Sequence, residues 1–188
     1  MEMREWHIVF SGFQQKSGTL NGTVQIWGDL MRIASRHQSA RVELLRWDDN
    51  ISNLAELISR LAPQDSMPIV NIYGYSWGGM TAANFARELR RRGMPVNHIV
   101  LSDAVYRHWY WLGQWRAFVS AWAIRIPDNV RKVTHFRQRQ SMPMGHDVKA
   151  DNPGKTLIGK PIWLKADHSW MDDASPFRSA CRDAAEAV

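Results

Sequence analysis

The sequence predicts an α/β fold in which about six mostly parallel strands form a sheet with helices on both faces. Short runs of β-branched and apolar residues alternate along the chain with longer segments of helical periodicity, which is typical of βαβ units. The 188 residues are enough for a sizeable core, and apolar residues make up 45% of them. Because no repeat, low-complexity tract or flexible linker divides the chain, residues 1–188 are predicted to form one domain.

Each predicted strand is a short apolar run, and each predicted helix has an identifiable end. In chain order the strands are expected at 6–10, 42–47, 68–73, 96–101, 130–136 and 161–164. The helices are expected at about 22–37, at 51–61, from the end of the third strand to Gly93, and at 173–188. Val24, Trp27 and Met31 recur at helical spacing in the first helix, and Pro63 closes the second. Parallel sheets carry their sites at the carboxyl ends of the strands, so the residues just after each strand are the candidates for function.

The positive charge of the chain is concentrated in one segment. The net charge is +6, and residues 104–146 hold one acid, Asp128, against seven cations: Arg107, Arg116, Arg125, Arg131, Lys132, Arg137 and Arg139. A basic segment of this kind favours an anionic partner, such as nucleic acid, lipid headgroups or an anionic polymer. A solvated basic face that promotes solubility accounts for it equally well.

Cysteine usage and the first residues favour a cytoplasmic protein, with export by a route that uses no signal peptide as the alternative. Cys181 is alone, which excludes an internal disulfide and a cysteine metal cluster. No run of eighteen apolar residues occurs, and the first ten residues lack the basic start and long apolar stretch of a signal peptide. We therefore expect no transmembrane segment, no metal and no cofactor.

The most informative motif is Gly74-Tyr75-Ser76-Trp77-Gly78, which lies between the third predicted strand and a helix. A sharp turn there would expose the serine hydroxyl above the sheet, and glycine avoids collisions with neighbouring backbone at the two flanking positions. In this setting the motif resembles the nucleophile elbow of the α/β-hydrolase superfamily, and of its compact lipase- and esterase-like members in particular. The resemblance implies a strand order of 2-1-3-4-5-6.

The resemblance also implies that an acid and a histidine follow Ser76 in that chain order. Among seven histidines, His168 follows the last predicted strand and is the expected base. Asp103 directly follows the fourth strand, in a segment LSDAV that is similar to that of lipase-like members. Asp147 lies about ten residues beyond the fifth strand, where many members carry their acid, and is the alternative to Asp103.

Two backbone N–H groups are expected to form an oxyanion hole. The resemblance implies one donor from Trp77, the residue after the nucleophile, and one from the loop after the first strand. In that loop Gly12 permits a tight turn, and Phe13 is the expected donor.

Residues 104–129 contain four of the ten tryptophans and lie where the resemblance implies a lid. A short Trp-rich lid or acyl-binding wall is expected, with Trp109, Trp111 and Trp115 as substrate contacts. Helices that pack an aromatic face on the sheet would explain the same composition equally well.

The function expected from these residues is hydrolysis of a small-molecule or lipid carboxylic ester through an acyl-enzyme on Ser76. Thioester hydrolysis and acyl transfer would use the same residues. A non-catalytic basic protein on the same fold, docked on nucleic acid or an anionic envelope polymer, is the alternative from another class. The complete set of Ser76, Asp103 and His168 argues against it, because a binding protein does not need a strained elbow.

Overall fold

Parallel strands and helices alternate in the computed structural model, which describes residues 2–13, 15, 20–37, 39–106 and 122–187. The helices are α1 (Gly22–Ala34), α2 (Ile51–Leu61), α3 (Trp77–Arg91) and α4 (Ser175–Glu186). The strands are β1 (Glu5–Phe10), β2 (Ala40–Leu45), β3 (Ile69–Tyr75), β4 (Val96–Ser102), β5 (Ala123–Ile126), β6 (Val130–Arg137), β7 (Asp147–Ala150), β8 (Leu157–Ile158) and β9 (Ile162–Trp163).

The main sheet has the order β2-β1-β3-β4-β6, and β8 and β9 both pair with the outer edge of β6. All of its strand pairs are parallel. The six strands expected from the sequence correspond to β1, β2, β3, β4, β6 and β9, so the predicted fold class and order are confirmed. The structure adds β8 and a separate parallel pair of β5 with β7.

Alternate residues of the central strands point into two apolar layers. Ile8 and Phe10 of β1 belong to the layer that also contains Ile58 of α2 and Phe85 of α3. Val9, between them, belongs to the opposite layer, which includes residues of α1 and α4 such as Leu30 and Phe177. The sheet is therefore covered on both faces, which explains why β1 is buried along its whole length.

The helices are close to their predicted positions and differ at their ends. α1 ends at Ala34 rather than at 37. At this end the hydroxyl of Ser35 donates to the carbonyl of Arg32. α4 begins at Ser175 rather than at 173, with Pro176 in its first turn, where a missing N–H costs nothing. Within the described ranges, none of the helices combines the length and the apolar character of a membrane span.

Candidate active site

The turn between β3 and α3 places Ser76 in a strained backbone conformation, with φ 52° and ψ −125°. Such a conformation costs a residue with a side chain about 1–3 kcal/mol. A methyl group on Gly74 would lie 2.9 Å from the carbonyl oxygen of Gly78, and one on Gly78 would overlap the carbonyl oxygen of Phe10. A side chain at Gly74 would therefore collide with the first turn of α3, and one at Gly78 with the end of β1.

Three side chains from distant parts of the chain form a hydrogen-bonded series at the carboxyl edge of the sheet. Nε2 of His168 lies 2.9 Å from Oγ of Ser76, and Nδ1 of His168 lies 2.6 Å from Oδ2 of Asp103. Because an ionised carboxylate can only accept, Nδ1 carries the proton and Nε2 accepts from the Ser76 hydroxyl. Asp103 is completely buried and the His168 side chain is 14% exposed, so both hydrogen bonds are largely shielded from water.

The buried carboxylate of Asp103 is held by several donors besides the imidazole. Its Oδ1 accepts from the backbone N–H of Gly145 at 2.9 Å and from that of Gln138 at 3.3 Å. Its Oδ2 accepts from Nε2 of Gln138 at 2.9 Å. These bonds offset the loss of hydration that burial of a carboxylate imposes.

The backbone of His168 is fixed on both sides of the imidazole. Its N–H donates to Oγ of Ser141 at 2.7 Å, and its carbonyl accepts from the hydroxyl of Tyr75 at 2.7 Å. The Tyr75 ring also stacks on the imidazole, with centroids 5.3 Å apart. Burial, together with the charges of Asp172 and Asp103, raises the pKa of Tyr75, so its hydroxyl stays protonated and remains a donor.

The other candidate acid and several other histidines have different partners. Asp147 is exposed and pairs with Arg137, and no hydrogen bond in the described ranges joins it to His168. Three histidines within strands have partners elsewhere: His7 contacts Tyr73, His98 contacts Thr134, and His135 contacts the carbonyl of Gly159. The geometry thus brings Asp103, and not Asp147, to the imidazole next to Ser76.

The loop after β1 passes directly beside the serine. A methyl group on Gly12 would lie 3.0 Å from Cβ of Ser76. The Gly12 N–H donates to Oε1 of Gln15 at 2.8 Å, whereas neither the Phe13 nor the Trp77 N–H has an acceptor in the described part of the chain. The rings of Phe13 and Trp77 pack with centroids 4.4 Å apart, which holds these two residues together.

Gln15 connects this loop to the turn that carries His168. Its Nε2 donates to Oδ2 of Asp172 at 2.6 Å, while its Oε1 accepts from Gly12. Burial raises the pKa of Asp172, and the hydrogen bond from Gln15 acts in the opposite direction. The two sides of the site are therefore tied together by one partly buried amide.

Comparison with known proteins places the chain in a family. Residues 9–142 match the sequence model of a family described as thioesterase domain. The chain belongs to the thioesterase domain family. The matched residues include the elbow and Asp103 and end before His168. A comparison with curated proteins finds no match.

Solved structures resemble this thioesterase domain over almost its whole length. A protein from Agrobacterium vitis S4 described as a hydrolase has a TM-score of 0.53 at 14% identity, covering 98% of this chain and 87% of that one. Human thioesterase 2 has a TM-score of 0.48 at 13% identity, with 98% and 97% covered. YbtT, a type II thioesterase of the yersiniabactin pathway, has 0.46 at 12%, with 99% and 92% covered. At these identities the likeness concerns the fold alone, and the first structure supports an α/β-hydrolase fold.

The predicted substrate contacts of this thioesterase domain, Trp109, Trp111 and Trp115, lie outside the described residues. The same is true of most of the predicted lid at 104–129, within whose described remainder β5 is found. The lid and its contacts therefore stay predictions.

Three residues beside the site were not expected from the sequence: Gln138, Tyr75 and Gln15. A signal was available for Gln138, because it directly follows β6, which pairs with β4, the strand that ends just before Asp103. The partners of Tyr75 and Gln15 depend on loop conformations that no spacing reveals. Within the described ranges, no group of three side chains is arranged to hold a metal ion.

Proposed function

We propose that this protein is a serine hydrolase that cleaves acyl thioesters through a covalent acyl-enzyme on Ser76. The observation that carries the proposal is the hydrogen-bonded series from Ser76 through His168 to Asp103 at a strained elbow. A serine hydroxyl needs an adjacent base of this kind to act as a nucleophile near neutral pH. Membership of the thioesterase domain family favours a thioester over the carboxylic ester expected from the sequence.

Acylation would begin when Oγ of Ser76 attacks the acyl carbonyl carbon and His168 accepts the hydroxyl proton. Asp103 keeps the imidazole in the required tautomer and stabilises the imidazolium that forms. The N–H groups of Phe13 and Trp77 are the proposed donors to the oxyanion. When the tetrahedral intermediate collapses, the C–S bond breaks and the departing sulfur takes the proton from His168.

Deacylation would reverse the roles with water as the nucleophile. His168 takes a proton from water, the water oxygen attacks the acyl carbonyl, and Oγ of Ser76 leaves and regains its proton. The product is a carboxylic acid. Because a thiol has a pKa of about 8.5, far below that of an alcohol, release of a thiol depends less on proton donation from His168.

The test compares a hexanoyl thioester of N-acetylcysteamine with the oxygen ester of the same acyl group. Wild type is expected to hydrolyse the thioester faster, and Ser76→Ala and His168→Ala to lower kcat by about 10³- to 10⁶-fold. Ser66→Ala and His37→Ala change exposed residues of the same types and are expected to keep the wild-type rate.

Faster cleavage of the oxygen ester, still dependent on Ser76, would return the assignment to a carboxylic ester hydrolase. If neither substrate is cleaved above the Ser76→Ala background, the enzymatic proposal fails. The non-catalytic basic binding protein would then be the better account of the charge in 104–146.

A further inference from the structure

A glutamine side chain is completely buried beside the carboxylate of Asp103. Gln138 is the first residue after β6, and β6 pairs in parallel with β4, which ends just before Asp103. The Asp103 N–H donates to the carbonyl of Phe136 at 2.9 Å, so the chain leaves both strands at the same level. A buried amide is costly unless its polar atoms are hydrogen-bonded, which makes its partners informative.

Both polar atoms of the Gln138 side chain have partners. The two hydrogens on Nε2 are shared among three acceptors, Oδ2 of Asp103 at 2.9 Å, the carbonyl of Ser141 at 2.8 Å and that of Pro143 at 3.1 Å. Oε1 accepts from the backbone N–H groups of Gln140 at 2.6 Å and Ser141 at 2.9 Å. The loop after β6 is therefore folded around this one side chain.

The same loop also holds the base. Oγ of Ser141 accepts from the backbone N–H of His168 at 2.7 Å, and the N–H of Gly145, at the other end of the loop, donates to Oδ1 of Asp103. Nε2 of Gln138 and Nδ1 of His168 donate to the same carboxylate oxygen. Gln138 is thus connected to the acid directly and to the backbone of the base through Ser141.

We infer that Gln138 is a positioning residue, which orients the Asp103 carboxylate towards Nδ1 of His168 and shares the negative charge on Oδ2. This inference rests on the proposed function. An apolar side chain of the same length would fill the space but would leave Oδ2 with the imidazole as its only side-chain donor. The carboxylate would then be less constrained, and more of its charge would act on the imidazole.

The test uses Gln138→Met, with Gln140→Met as the matched control in an exposed position of the same loop. Because a small misorientation of the base is costly, Gln138→Met is expected to lower kcat by about 10- to 100-fold, with KM changed less than about threefold. A carboxylate that loses a donor stabilises the imidazolium more strongly. The acid limb of kcat/KM, which reports the neutral base, should therefore move to higher pH by about 0.5 to 1 unit.

A purely structural role would not move the acid limb. Two outcomes overturn the inference. In the first, Gln138→Met unfolds at the wild-type temperature and keeps kcat within about twofold of the wild-type value. In the second, kcat falls but the acid limb does not shift. If Gln138→Met does not fold, the same criteria apply to Gln138→Asn, whose amide is one methylene too short to keep both sets of partners. Wild type is first compared with Ser76→Ala, because equal rates of the two would reject the proposed function. If wild type is active and Gln138→Met changes neither kcat nor the acid limb, only this inference is rejected.

Discussion

Ser76 and Asp103 are the residues other than glycine that adopt a positive φ within the described ranges, at 52° and 41°. Both lie just past the ends of neighbouring parallel strands, and both contact the imidazole of His168. Strained conformations persist where the surroundings fix them. Asp103 is held at both its backbone and its side chain: its N–H donates to the carbonyl of Phe136, and its carboxylate accepts from Gln138 and Gly145.

Substitution of the two candidate acids distinguishes them. Asp103→Asn should lower kcat for the thioester by about 10³- to 10⁴-fold, because an amide can donate to Nδ1 and stabilise the wrong imidazole tautomer. Asp147→Asn removes only an exposed partner of Arg137 and should change kcat less than about twofold. A loss confined to Asp147→Asn, with both variants folded, would show that the acid has been misassigned.

The three residues that meet in the site could be predicted because each follows an apolar run that forms a strand. To select Ser76, Asp103 and His168 from the sequence, only two things were needed: the positions of the strand ends, and the order of nucleophile, acid and histidine along α/β-hydrolase chains. Gln138 also directly follows a strand, β6, but its residue type gives no indication of a role in the site, because a glutamine is most often exposed. Its partners are the carbonyls and N–H groups of a loop whose path the sequence pattern does not specify.

At the scale of elements, the β3–α3 turn depends on its close approach to β1. Gly78→Ala would drive a methyl group into the carbonyl oxygen of Phe10, and should lower the free energy of unfolding by about 1–3 kcal/mol. Gly28→Ala is the matched control, because nothing lies within 4 Å of a methyl group there and it is inside α1. It should raise the free energy of unfolding by about 0.5–1 kcal/mol.

Denaturant unfolding of the two variants beside wild type measures both effects. Equal stability of Gly78→Ala and wild type would mean that the elbow can move away from β1, and would remove the steric reason for a glycine at this position.

Strands that lie within an apolar run of the sequence were predicted, including the two-residue β9, whereas β5, β7 and β8 were missed. β5 and β7 have four residues each and pair across a long stretch of chain, so neither has a strong periodic signal. β5 also lies in the aromatic-rich segment predicted as a lid. β8, with two residues, is defined only by its pairing with β6.

For the whole molecule, the strand order brings residues 76, 103 and 168 to one edge while two apolar layers cover the sheet. The alternation of strands and helices was enough to predict this architecture, because parallel strands require crossovers and both faces must be covered.

Several polar groups are buried when the sheet is covered on both faces. Burial lowers the pKa of His98 from 6.5 to about 4, with a further contribution from the charges of Lys132 and Arg131.

His98 makes stability depend on pH in a definite direction. In the unfolded chain this histidine binds a proton near pH 6.5, and in the folded chain only near pH 4. The contribution of neutral His98 to the free energy of unfolding is therefore complete above pH 6.5 and is lost as the pH falls towards 4. After allowance for solvent screening, the loss should be on the order of 1–2 kcal/mol. His98→Gln, which can still bond to Thr134, should show a flatter decline in the free energy of unfolding across this range.

The exposed His37→Gln is the control and should follow the wild-type curve. If His98→Gln loses stability between pH 6.5 and 4 as steeply as wild type does, this histidine is not the source of the decline.

The most direct measurement of the central claim is covalent labelling with a fluorophosphonate, in which Oγ of an activated serine forms a P–O bond and fluoride leaves. Peptide mass spectrometry should find one phosphonyl group for each chain, on Ser76. The labelling rate should fall by orders of magnitude in His168→Ala and stay unchanged in His37→Ala. No label on Ser76, or equal labelling rates in wild type and His168→Ala, would contradict the account.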